Sequence, residues 1–150
     1  MPVFVRSQHG PHGLSLRRLR TRARRMLHAL DRDDAELSIV LVDDIIIQAL
    51  NTAYRHKERP TDVLSFAMSE GEFGDLNPGV LGDVVISVPT ARKQAKRAKR
   101  DVFDEVTFLL AHGLLHLVGF DHDSDEQDRE MKRQTRRLMA AARDPRPLRS

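Results

Sequence analysis

Three histidines, His112, His116 and His122, stand in the spacing H-x3-H-x5-H. On an α-helix four residues make one turn plus about 40°, with a rise of about 6 Å, so His112 and His116 leave the same face. Gly119 then supplies the residue type that adopts a left-handed conformation and ends a helix. Three residues later His122 can come round to the first two. Three neutral imidazoles in a compact arc suit a tetrahedral Zn2+ whose fourth position stays open to water, one ion per chain. A lone histidine on a helix is ordinarily a polar surface residue, and pairs four apart arise by chance. The third histidine beyond a glycine turn, backed by an apolar stripe of Leu110, Leu114 and Leu117, makes metal binding the stronger reading. His9, His12, His28 and His56 lack this spacing and read as surface residues.

Zinc proteases of the H-E-x-x-H type carry a glutamate beside the first histidine as general base. Here that place is Gly113. A mid-helix glycine costs about 1 kcal/mol relative to alanine, so it calls for a reason: room beside the metal, or close helix packing. A peptidase with the usual base is disfavoured. A metal held here could still lower the pKa of its water towards about 7 and polarise a phosphoryl oxygen. The proton acceptor would be another residue, the substrate itself or the metal's hydroxide.

These residues need a scaffold, and the hydrophobic pattern outlines one. Residues 3–6 read as a short edge strand. Leu16, Leu19, Ala23, Met26, Leu27 and Leu30 recur at helical spacing, predicting a helix over 15–30. Residues 36–43 are β-branched and apolar, the signature of a buried strand. Asp43 or Asp44 can cap a helix over about 44–54. Further strands are expected at 63–68 and 80–88, with a loop over 69–80. Pro89 fits the first turn of a helix over 89–99. Asp101 can cap a helix over 102–118 that Gly119 ends, and a last helix covers 126–142. The tail after about Asp144 reads as frayed. Residues 1–150 form one α+β domain: a small, mostly four-stranded sheet packed with helices, one of them a zincin-like metal-bearing helix.

The 150 residues suffice for one core without disulfides, and the absence of cysteine excludes disulfides, iron–sulfur clusters and cysteine-type zinc sites. No apolar run approaches the roughly 20 residues that span a bilayer, and no secretory signal is evident, which fits a reducing cytoplasm. Net charge is only +3, but the cations cluster. Arg17, Arg18, Arg20, Arg22, Arg24 and Arg25 form one stripe, and Arg92, Lys93, Lys96, Arg97, Lys99 and Arg100 a second. Lys132, Arg133, Arg136 and Arg137 form a third. Such stripes could meet a phosphate backbone or be solvated helix faces, and charge alone does not decide. With six Phe, one Tyr and no Trp, an aromatic stacking platform is not evident.

The segment His112-Gly113-Leu114-Leu115-His116-Leu117-Val118-Gly119-Phe120-Asp121-His122 resembles the H-G-x-L-H-L-x-G-[YF]-D-H signature of the YbeY family, bacterial endoribonucleases also called rRNA maturation factors. Asn51–Phe66 is similar to that family's N-x-x-[YF]-R-x-K-D-x-P-T-D-V-L-S-F block, and Leu81–Ser87 to its L-G-D-[IV]-x-I-S strand. The blocks keep the family's order and span roughly residues 36–140. Glu58 stands where Asp is usual, and Ala67 where Pro commonly follows Phe. The resemblance implies a zinc-dependent, single-strand-specific endoribonuclease of ribosomal RNA processing, acting near the 3′ end of small-subunit rRNA and in ribosome quality control. Its partners would be single-stranded RNA, precursor rRNA and the small ribosomal subunit, with no membrane involved. It implies zinc ligands at His112, His116 and His122, with His116 also counted as catalytic. It carries a functional arginine onto Arg55, whose guanidinium can pair with phosphate at two points; the alternative is a structural salt bridge. Asp83 could orient a metal-bound histidine, cap a loop or pair with an arginine. Ser65 and Thr61 read as strand and turn residues. The competing functions are a zinc hydrolase of another substrate, such as peptides, and a non-catalytic ribosome-assembly factor with structural zinc.

Overall fold

The computed structural model describes residues 3–8, 12–55, 61–67, 79–120, 123–144 and 146, with the side chain of Arg55 excepted. The expected loop over 69–80, except for Gly79 and Val80, and the tail beyond Asp144, except for Arg146, lie outside the described residues. In chain order the elements are β1 (Val3–Ser7), α1 (Leu16–Ala29), β2 (Glu36–Val42), α2 (Asp44–Arg55), β3 (Val63–Ala67), β4 (Val80–Ser87), α3 (Val88–Ala98), α4 (Val102–Leu117) and α5 (Asp125–Ala142). They form one α+β domain with a single four-stranded sheet in the order β1-β2-β4-β3. β1, β2 and β4 run parallel, and β3 is antiparallel to β4.

Alternation along the strands divides the core into two layers. Leu37, Ile39, Leu41, Val84 and Ile86 point to one face and join Leu19, Leu27, Leu110 and Leu114 from α1 and α4 in the main core. Val40, Val42, Leu64 and Val85 point to the other, where Ile47 of α2 covers them. β2 is apolar at both parities because both its faces are covered.

The element ends follow local chemistry. Asp43, not Asp44, caps α2: its Oδ1 accepts from the Ile46 amide at 2.9 Å. Asp44 is instead an anchor, accepting hydrogen bonds from the hydroxyls of Ser87 and Thr90. The predicted strand over 80–88 ends one residue early, because Ser87 caps α3 and accepts from the Thr90 amide. Asp101 holds the cap position of α4, but its side chain makes no capping hydrogen bond. Asp104 and Glu105 supply the negative charge in that first turn. Gly119 has φ +100°, and the Phe120 amide reaches back to the Leu115 carbonyl at 2.9 Å, closing α4 as expected. α5 starts one residue before the predicted position because Ser124 caps it, accepting from the Gln127 amide at 3.1 Å.

The mid-helix glycine has its reason in packing. A Cβ on Gly113 would stand 2.7 Å from Cγ1 of Val84, 3.0 Å from Oγ of Ser65 and 3.2 Å from Cγ2 of Val63. Val84 is fully buried and β-branched, so it has little freedom to yield. Gly113→Ala should therefore destabilise the protein by about 1–2 kcal/mol, overpacking outweighing the helix propensity that alanine gains. Chemical denaturation checks this, with Gly113→Ala/Val84→Ala expected to relieve the clash. A Gly113→Ala variant more stable than the parent would mean that α4 does not lie this close to the sheet.

Candidate metal centre and charged surfaces

α4 presents His112 and His116 side by side, as the four-residue spacing predicts. Both are half-buried, and their ring centroids lie 5.5 Å apart. One turn earlier Phe108 continues the row, 6.1 Å from the His112 ring. Leu110, Leu114 and Leu117 are buried in the main core, the backing stripe that the sequence predicts. His122 lies outside the described residues, and among the described residues no three His, Asp, Glu or Cys side chains converge as a metal-binding group. Arg55 is the last residue of α2, and its side chain is likewise outside the description.

Ser65 does more than occupy a strand. Its hydroxyl donates to the Gly113 carbonyl at 2.8 Å, tying β3 to the helix between the two histidines. Nothing local in the sequence marks Ser65 for this; only the pairing of a strand serine with a helix glycine does. Asp83, by contrast, is on the opposite side of the sheet from α4. Its neighbour Val84 faces Gly113, while Asp83 opens onto a groove of about 440 Å³ lined by Arg6, Tyr54 and Phe66. It therefore does not orient His112 or His116. Of the other histidines, His28 is exposed and pairs with Asp33 at 2.8 Å. His12 is half-buried, with its ring nitrogen 3.1 Å from the Gln8 carbonyl, so it is not a plain surface residue. His9 and His56 lie outside the described residues.

The basic stripes differ in use. On α1, Arg22 donates to Asp104 and Thr107, both at 2.8 Å, fastening α1 to α4. Arg18 and Arg22 lie over the Phe103 ring at 4.2 and 4.4 Å. Arg25 reaches the carbonyl of Ala142 in α5. Half of that stripe thus holds helices together. On α5, Lys132 and Arg133 pair with Asp128 and Glu130 within their own helix. On α3, the side chains of Lys93, Lys96, Arg97 and, at its C-cap, Lys99 are exposed and make no hydrogen bond or ion pair among the described residues. α3 therefore carries a run of cations left over for a partner, with Arg17 of α1 and Arg136 of α5 exposed besides.

The family model described as Endoribonuclease YbeY matches residues 6–143. Endoribonuclease YbeY of Geobacter metallireducens is 43% identical over 142 residues, covering 93% of this chain and 95% of its own length. Endoribonuclease YbeY of an Anaeromyxobacter species is 49% identical over 145 residues, covering 94% of this chain and 72% of its own. The solution structure of TM1509 from Thermotoga maritima superposes with a TM-score of 0.64 at 21% identity, covering 93% of this chain and 88% of that one, and speaks for the fold. Among the described residues no helix is long and apolar enough to cross a membrane. This chain belongs to the YbeY endoribonuclease family, and is thereby a nuclease of the hydrolase class.

Proposed function

We propose that the protein is a zinc-dependent endoribonuclease that cuts single-stranded RNA, processing precursor rRNA at the 3′ end of the small-subunit species and serving ribosome quality control in the cytoplasm. The observation that carries the metal is the His112–His116 pair, two half-buried imidazoles 5.5 Å apart on a helix braced by the sheet. That donor set fits a zinc ion, with His122 as the third ligand from beyond the Gly119 turn. Zinc held there supplies Lewis acidity towards a phosphoryl oxygen and acidifies the attacking water. The rRNA assignment rests on the family and on the three matching sequence blocks.

The chain's own residues supply position and charge. Gly113 and Ser65 fix where α4 lies, and so where the imidazoles start. Arg55, at the end of α2, is the cation assigned to the scissile phosphate, where a guanidinium can pair at two points and stabilise developing negative charge. The exposed cations of α3 hold the RNA by its backbone.

Metal analysis together with cleavage of single-stranded RNA tests this reading. Wild type should carry one zinc per chain and cut; His112→Ala and His116→Ala should lose both. Arg55→Ala should keep zinc and fold but cut about 10²–10³-fold more slowly, the scale of losing one preorganised donor, with Arg55→Lys recovering only part. A wild type that binds no zinc, or that digests a peptide library and leaves RNA intact, would reject the assignment.

The division of the basic stripes gives a separate expectation. Converting Lys93, Lys96 and Arg97 to Gln should leave the melting temperature unchanged. It should flatten the log–log salt dependence of RNA affinity by about 0.7 per lost phosphate contact. Arg22→Gln should do the reverse, lowering the melting temperature, because Asp104 and Thr107 lose their shared donor. Equal effects from both would show that the stripes are not divided in this way.

A further inference from the structure

Arg100 stands at the start of the histidine row. α3 ends with Lys99 in the left-handed region, φ 56° and ψ 44°, where glycine is the usual residue. The Arg100 amide turns back to the Ala95 carbonyl at 2.9 Å. This break throws the Arg100 side chain over the first turns of α4. Its guanidinium lies 5.0 Å above the Phe108 ring. Its Nε stands 2.7 Å from Oε2 of Glu105, a carboxylate only 3% exposed. The contact is one of charge: Oε2 of Glu105 makes no aligned hydrogen bond among the described residues. The Arg100 side chain remains 40% exposed, and its two terminal nitrogens have no hydrogen bond or ion pair among the described residues.

We infer that Arg100 is a phosphate-binding subsite for the RNA strand, set to one side of the metal centre. Glu105 and the Phe108 ring fix the guanidinium from below and beside, and the terminal N–H groups face solvent. A guanidinium held at Nε and open at its far end is preorganised to grip a phosphate with two parallel hydrogen bonds. The row Arg100–Phe108–His112–His116 advances in steps of 5.0, 6.1 and 5.5 Å along one side of α4, so a strand bound at Arg100 is aimed at the histidines. Lys96 and Lys99 extend the positive surface on the outer side. The phosphate gripped here belongs to a nucleotide a short way along the strand from the one cut. Arg100 is thus a positioning residue, and the inference rests on the proposed RNA-cleaving function.

The competing explanation is that Arg100 only neutralises Glu105. Two variants separate the two: Arg100→Gln, and Arg100→Gln/Glu105→Gln, which removes both charges and leaves no buried carboxylate unpaired. Cleavage kinetics on a single-stranded oligonucleotide and anisotropy binding across a salt series are measured for both, with zinc content and melting temperature recorded. A phosphate subsite predicts that the double variant melts like wild type and holds its zinc. Its KM rises about tenfold with kcat within about twofold, as expected for loss of one charge-assisted contact, and the salt slope falls by about 0.7. Glu105→Gln alone should raise KM by less than the double variant does, because Phe108 still seats a guanidinium that is no longer held at Nε. A double variant with wild-type KM and salt slope would overturn the subsite while leaving the nuclease assignment intact. A wild type that neither binds nor cuts single-stranded RNA would overturn both.

Discussion

The site depends on how closely α4 lies against the β3–β4 pair. A helix can approach a sheet this tightly only where a side chain is missing, and Gly113 is where it is missing. Val84 and Val63 fill the space from the sheet, and the Ser65 hydroxyl donates to the Gly113 carbonyl, so an extra hydrogen bond marks the same spot. His112 adjoins this contact and His116 follows one turn later. The backbone that carries both imidazoles is therefore placed by packing against the sheet. The position that carries a glutamate in H-E-x-x-H zinc proteases is given up here to seat the helix. A larger residue there would move the histidines before it could serve as a base.

Charge is divided along the same lines. Half-buried Arg22 and Arg25 bind α1 to α4 and α5 through Asp104, Thr107 and the Ala142 carbonyl, and exposed Arg18 joins Arg22 over the Phe103 ring. Planar guanidinium groups serve this purpose because they can stack and hydrogen-bond at once. Lysines dominate the open surface of α3, where a mobile point charge meets a phosphate at low ordering cost. A net charge of only +3 thus hides a separation into structural cations and free ones.

Much of the fold was legible in the sequence. Helix and strand periods placed each element within one or two residues, since local pattern governs them: Leu16–Leu30 for α1, Glu36–Val42 for β2, Gly119 for the end of α4. Long-range placement was not legible. The strand order brings Ser65 under Gly113, a relation between residues 48 apart that no local pattern encodes. For Asp83 the sequence leaves open whether it orients a metal-bound histidine, caps a loop or pairs with an arginine; alternation along β4, which turns it to the opposite face from Val84, removes the first. The α1 arginines read as one stripe because their spacing does not show which of them face Asp104 or Phe103. The family signature, by contrast, was carried by contiguous residues and was readable outright.

On either side of the segment 121–122 the chain is fixed by a helix end. Before it, the Gly119 turn and the Phe120–Leu115 hydrogen bond end α4 at a defined point. After it, Ser124 accepts from the Gln127 amide, and the Gln127 side chain accepts from the Asp123 amide at 3.1 Å, a reciprocal cap that starts α5. Met131, Thr135 and Leu138 then bury α5 against the rest of the domain. His122 is covalently two residues past Phe120 and one before Asp123, each of which is held. Under the proposed reading, the third ligand therefore needs no element of its own. Two helix ends, each satisfied by its own capping hydrogen bonds, stand on either side of it in the sequence.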